Sequence, residues 1–201
     1  MIILPVANKK AMYDTLRIFF HKLIPKLDDE TWNSFVSLQQ VKHYKKGDII
    51  SEEGKTNNIV SFIQKGAVMV YNHLDNKKCV YNFFFENEYT GDYESFLTRK
   101  PALYGIEAIE DCILFQLHYN GLQLMYEKHP VFERAGRLIA EAQFLRLTTR
   151  NASLLAEKPE ERYLNLIKAK PQVIQRIPQY HIASYLGITP EALSRIRKRI
   201  M

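Results

Sequence analysis

The sequence predicts an α+β chain: a β-rich body, then a long helix, then a C-terminal helical hairpin. Three observations carry this. Between Gln39 and Leu117, short runs rich in Val, Ile, Tyr and Phe alternate with turn residues. Beyond Tyr119, apolar residues recur at spacings of four and three. Residues 158–201 hold 9 basic and 3 acidic groups, so the whole net charge of +6 lies in that stretch.

The composition of the 201 residues, 46% hydrophobic and 25% charged, is that of a globular chain, which excludes disorder, collagen and a bare coiled coil. The apolar run of MIILPVANKK ends at Ala7 with no charge ahead of it, so neither a membrane span nor a signal peptide is expected. Two cysteines, Cys79 and Cys112, form no CxxC pair, which points to a reducing, cytoplasmic compartment.

Residues 8–23 mix charged and apolar groups at helical spacing, and Pro25 ends that segment. Asp28, Asp29 and Glu30 favour a helix start before Thr31–Leu38. Strands are predicted near 41–45, 48–51, 59–64, 67–73, 78–85, 104–109 and 112–117. Between them stand the turn signals Lys46-Gly47-Asp48, Glu53-Gly54-Lys55, Lys65-Gly66, Asp75-Asn76 and Thr90-Gly91-Asp92. This is an antiparallel sandwich or barrel.

Val131, Ala135, Leu138, Ala142, Leu145, Thr149 and Ala152 form the a/d seam of about three heptads. Phe132, Ile139 and Phe144 widen it, so one face is expected to meet a second copy of the chain. Pro159-Glu160-Glu161 opens a further helix and Pro171 closes it. The parts are 1–118 (N-terminal helices and β body), 119–156 (long dimerisation helix and hinge) and 157–201 (helical hairpin).

Residues 177–199 read IPQYHIASYLGITPEALSRIRKR. Ile182, Ala183 and Leu186 share a helical face, Gly187 stops the helix, and Thr189-Pro190 caps the next one. Leu193, Ile196 and Ile200 face inward, leaving Glu191, Ser194, Arg195 and Lys198 outward. A helix-turn-helix with a basic outer face fits the major groove of double-stranded DNA. Arg195 suits guanine and Glu191 suits a cytosine amino group. Gln179, Tyr180, Thr189, Pro190, Ser194, Arg197, Lys198 and Arg199 complete the candidate interface, largely toward phosphates.

This order of parts resembles the Crp/Fnr family of bacterial transcription regulators. The matching segments are KKGDIISEEG (45–54), FIQKGAVMVY (62–71), GDYESFL (91–97), EAIEDCILFQL (107–117) and, most strongly, IASYLGITPEALSRIRK. The resemblance implies a double-stranded, cyclic-nucleotide-binding-like β-roll, a helix-mediated homodimer and a winged-helix-like DNA domain. No wing is expected after the second helix. RNA polymerase is the further partner it suggests. Glu191 and Arg195 fall where the cyclic-AMP-responsive members read bases, while Pro190 replaces an Arg that they use.

The sensor half departs from the family. Cyclic-nucleotide binders carry Gly-Glu and a downstream Arg-Ser/Thr-Ala; here Gly91-Asp92 and Ala102-Leu103-Tyr104 stand at those places. A buried phosphate without a cation is costly, so cyclic AMP is not expected, unless Arg99 or Lys100 takes that role. Tyr71, Gly91, Asp92, Tyr93, Ser95 and Tyr104 are the candidate ligand pocket, its effector unknown. Two cysteines are too few for an iron–sulfur cluster. The six His form no cupin-type pair, and no GxSxG, P-loop or HExxH occurs, so neither a metal nor a catalytic residue is expected. The competing reading is a sensor that acts through protein contacts, its hairpin serving only to pack.

Overall fold

A computed structural model describes residues 12–75 and 77–200. The apolar run to Ala7, residues 8–11 of the first expected helix and Asn76 of the Asp75-Asn76 turn lie outside them.

Helix α1 (Asp14–Leu23) and helix α2 (Asp29–Ser37) come first. Asp28 caps α2, accepting the Thr31 N–H at 2.8 Å. Eight strands follow among the described residues: β1 (Gln40–Tyr44), β2 (Ile49–Ser51), β3 (Ile59–Lys65), β4 (Val68–Leu74), β5 (Lys77–Phe84), β6 (Tyr89–Thr90), β7 (Gly105–Ala108) and β8 (Cys112–His118). One sheet runs β1-β8-β3-β6 and the other β2-β7-β4-β5. Between β6 and β7 lies a short helix, α3 (Tyr93–Thr98). The strand expectations hold to about one residue at most ends. Strand β6 and helix α3 were not anticipated, because two and six residues carry too little periodicity to read.

The region after Tyr119 is two helices rather than one. Helix α4 (Tyr119–Lys128) stops before Pro130, and helix α5 (Val131–Ala156) starts after it. Proline has no N–H and crowds the preceding turn, which favours a break here over one continuous helix. Then come α6 (Pro159–Ala169), the short α7 (Val173–Arg176), α8 (Gln179–Leu186) and α9 (Pro190–Ile200).

The chain divides into two compact units. One holds the residues up to Val68 with Phe84–Ala140; the other holds Met69–Phe83 with the residues from Glu141 onward. The first unit has a core of Leu16, Phe20, Trp32, Phe35, Phe62, Phe115, Met125, Phe132 and Ala135, among others. Rings interlock there: Phe20 and Phe35 lie 4.7 Å apart, and Phe35 stacks on Phe132 at 4.7 Å. Alternation in the first sheet explains the split of faces. Phe62 and its partner Phe115 meet the helices, while the neighbouring pair Ser61 and Gln116 turn the other way. Gln116 donates there to the Tyr44 hydroxyl at 3.1 Å and to Ser61 Oγ at 3.3 Å.

Ala135 is fully buried in that core. It has no surface to offer a second chain, which removes it from the expected dimer seam. Val131, at the helix start, is 36% exposed.

The second unit is held by Tyr163, Leu166, Val173, Ile177, Ile182, Ala183, Leu186, Leu193 and Ile196, all buried. Helix α6 begins with Pro159, and the Glu161 carboxylate accepts the Lys158 N–H at 2.8 Å.

Candidate nucleic-acid interface and sensor cassette

Helices α8 and α9 form the expected helix-turn-helix. Gly187 has φ +68°, the left-handed conformation that lets the Ile188 N–H return to the Ala183 carbonyl at 3.0 Å. Thr189 Oγ1 accepts the Ala192 N–H at 3.2 Å and caps α9. Leu193 and Ile196 are buried beneath α9, while Glu191, Ser194, Arg195, Lys198 and Arg199 are exposed. Gln179 and Tyr180 are exposed at the start of α8.

Three details refine that face. The Glu191 carboxyl is held below its ordinary range by its own backbone N–H, then by the Thr189 hydroxyl, with Arg195 adding attraction. Arg199 pairs with Glu160 at 3.0 Å, which ties the end of α9 to α6. Arg197 is half-buried, its Nε enclosed. The side of α9 opposite Leu193 and Ile196 thus exposes Glu191, Ser194, Arg195 and Lys198.

The candidate ligand-pocket residues divide. Asp92 and Ser95, 3% and 2% exposed, are brought together in a closed cassette. Asp92 Oδ1 accepts the Ser95 N–H at 2.9 Å, capping α3. Its Oδ2 accepts the N–H groups of Leu103 at 3.0 Å and Tyr104 at 3.2 Å. Ser95 Oγ accepts the Asn57 N–H at 2.9 Å and donates to the Lys100 carbonyl at 2.5 Å. Asn57 in turn donates to the Asp92 carbonyl at 3.0 Å. Gly91 lies next to this network, where a Cβ would come 3.3 Å from the Ile59 carbonyl oxygen.

Arg99 sits at φ +62° and hydrogen-bonds within the same cassette. Its guanidinium donates to the carbonyls of Phe96 at 3.0 Å and Asn57 at 3.2 Å, and to Asn58 Oδ1. It also lies 4.3 Å over the Tyr119 ring.

Tyr93 does not join this network; it is 37% exposed. It lines a separate groove of about 540 Å³ with Tyr126, Glu133, Arg134 and Arg137. Tyr71 is buried in the other unit, with the Lys78 ammonium 4.6 Å from its ring. The residues that sequence reasoning missed are Asn57 and the backbone N–H groups of Leu103 and Tyr104. An Asp three residues before a Ser is a capping signal that marks one of these bonds; the others join segments far apart in sequence. Among the described residues, no three His, Cys, Asp or Glu side chains gather as a metal site, and no helix is long and apolar enough to cross a membrane.

Residues 41–129 match the family model of the cyclic nucleotide-binding domain. No curated protein matches the sequence. Among solved structures, FixK2 from Bradyrhizobium japonicum is similar at TM-score 0.70 and 16% identity, over 81% of this chain and 84% of that one. The c-di-GMP-responsive regulator CLP from Xanthomonas campestris gives TM-score 0.66 and 18% identity, over 86% and 91%. A CooA variant from Carboxydothermus hydrogenoformans gives 0.67 and 15%, over 90% and 83%. The β-roll, the long helix and the C-terminal helix-turn-helix thus recur together, and the chain has the fold of the Crp/Fnr transcription regulators, with a match to the cyclic nucleotide-binding domain over residues 41–129.

Proposed function

We propose that the chain is a homodimeric, DNA-binding transcription regulator, not an enzyme, whose sensor cassette does not take cyclic AMP. The observation that carries this reading is the recognition face. Glu191, Ser194, Arg195 and Lys198 stand exposed opposite the buried Leu193 and Ile196. Every packed surface helix has a polar outer side; this one places a cation, Arg195, and a carboxylate, Glu191, four residues apart, where they can reach base edges. The excess charge of +6 in residues 158–201 adds the long-range attraction that a polyanion needs.

Dimerisation is supported by helix α5. Leu138, Ala142, Leu145, Thr149 and Ala152 lie on the side opposite Arg150 and Leu154, given 3.6 residues per turn. Arg150 and Leu154 face the chain's own unit: Arg150 packs on Tyr185 at 3.7 Å, and Leu154 lies beside Gly187. Phe144, Leu145 and Leu155 remain 64%, 63% and 90% exposed. Exposed apolar side chains such as Leu145 on this face are suited to covering by a second copy.

Resistance to cyclic AMP is supported by Asp92. Its carboxylate already takes three N–H groups, and Arg99 is committed to carbonyls. A phosphate placed about 4 Å from that carboxylate would meet a repulsion of ~4 kcal/mol at an effective dielectric of 20. The reading carries a cytoplasmic location and RNA polymerase as a further partner.

The test is fluorescence anisotropy with labelled random duplex over a salt series. Binding should weaken steeply as salt rises. Titration calorimetry with millimolar cyclic AMP should show no saturable heat. Duplex binding that is absent, or indifferent to salt, would move the protein-contact reading to first place.

A further inference from the structure

Strand β5 ends its sheet, so one side of its backbone has no strand partner among the described residues. Exposed edges of this kind invite pairing with other chains. Here that edge meets the first helix of the helix-turn-helix, within one compact unit. The Val80 N–H donates to Ser184 Oγ at 2.9 Å, and the Ser184 hydroxyl donates on to the Lys78 carbonyl at 3.3 Å. Two backbone groups of the strand are thereby satisfied by one side chain of α8.

Neighbouring contacts make this a dock rather than a single bond. Lys170 Nζ donates to the Phe83 carbonyl at 2.7 Å. The rings of Phe83 and Tyr185 lie 5.4 Å apart. Arg150, from α5, rests 3.7 Å over Tyr185 and 5.9 Å from the Tyr81 ring, and donates to the Tyr185 carbonyl at 2.9 Å. Arg162 holds the Leu186 carbonyl through Nε at 3.2 Å and Nη2 at 2.9 Å. Hairpin, long helix and helix-turn-helix therefore converge on residues 184–186.

The geometry points to Ser184 as a positioning residue for DNA binding: it fixes the helix-turn-helix on the β4–β5 hairpin, so that a two-fold dimer presents its recognition helices at one set spacing. This rests on the DNA-binding reading above. The dock uses the C-terminal end of α8 and leaves Glu191, Ser194, Arg195 and Lys198 of α9 exposed, so it orients the reader without covering it. Without the dock, the C-terminal helices would be joined to the long helix through residues 157 and 158. They would have to be ordered at the moment both half-sites are engaged, and that ordering weakens binding.

The experiment uses the full chain as wild type, Ser184→Ala and Ser184→Thr. Affinity is measured for a duplex with the inverted repeat, for one with a single half-site, and for a repeat lengthened by one base pair. Amide exchange at Val80 is followed without DNA. Ser184→Ala should speed Val80 exchange and weaken the inverted repeat about tenfold, since each of the two docks loses both Ser184 hydrogen bonds and the loss at each dock is roughly a few-fold effect. Single half-site affinity should stay within about twofold, and discrimination against the lengthened repeat should shrink, because a positioning contact acts only where two helices must fit together. Ser184→Thr, which keeps a hydroxyl, should stay near wild type.

Unchanged affinity for the repeat despite faster Val80 exchange would overturn the proposal. Tighter binding would overturn it too, showing that the dock restrains the reader. Equal losses on the repeat and the half-site would assign Ser184 a general structural role. A wild type that binds no duplex would fail the DNA reading itself, whereas half-site binding with an indifferent Ser184 would fail only the dock.

Discussion

Replacing Asp92 with alanine isolates what closes the cassette around Ser95. The carboxylate is 3% exposed and accepts three backbone N–H groups, from Ser95, Leu103 and Tyr104, at 2.9, 3.0 and 3.2 Å. Each buried donor left bare costs about 1–3 kcal/mol, so simple addition gives an upper range of roughly 3–9 kcal/mol. Water entering the vacated space recovers part of this, which brings the expected loss to about 3–5 kcal/mol. For a chain of this size that is a fall in Tm of roughly 10 °C. Asp92→Asn keeps one acceptor and should fall between alanine and wild type. Urea unfolding of the three proteins, followed by circular dichroism, supplies the comparison. An alanine variant within about 1 kcal/mol of wild type would refute the reasoning, because the three N–H groups would then be satisfied without the carboxylate.

Other consequences follow from the same geometry. Leu145→Glu puts an unpaired charge into the proposed seam and should halve the mass seen by light scattering; an unchanged dimer would move the interface elsewhere. Arg195→Ala should cost about 1–3 kcal/mol on the best duplex and relax preference at one base pair per half-site. Lys198→Ala should weaken specific and random duplex alike and flatten the salt dependence by about one counterion, as binding-salt titrations would show. The Cys112 thiol is pushed up to about 11, chiefly by burial, so it should resist alkylation at pH 8 until the chain unfolds, while the half-buried Cys79 reacts first. Mass spectrometry of partly alkylated protein reads that order directly.

The parts legible in the sequence are those written in local pattern. Val, Ile and Phe alternation placed seven strands, and the Gly187-Ile188-Thr189-Pro190 junction set the helix-turn-helix with its caps. The break at Pro130 is also local and readable as a helix breaker, but residues 119–156 read as one helical stretch because the seam that follows Pro130 is so regular. Ala135 shows the limit of periodicity. Its spacing is that of a seam residue, but burial depends on which elements surround the helix, and here Ala135 falls within the core that residues of α1, α2 and α4 share. The cassette was illegible for a related reason. Gly91-Asp92 marks a place, but only the fold brings the N–H groups of Leu103 and Tyr104 to that carboxylate. Likewise, nothing in residues 78–80 announces Ser184, more than a hundred positions away.

The most direct test of the central claim is selection of duplexes from a random pool by the purified full chain, with the enriched sequences read out. The account predicts an inverted repeat whose half-sites are centred about 34 Å apart, one helical turn, with a guanine whose preference depends on Arg195. A pool that returns without any enriched repeat, from protein that also shows no salt-dependent retention of duplex, would contradict it.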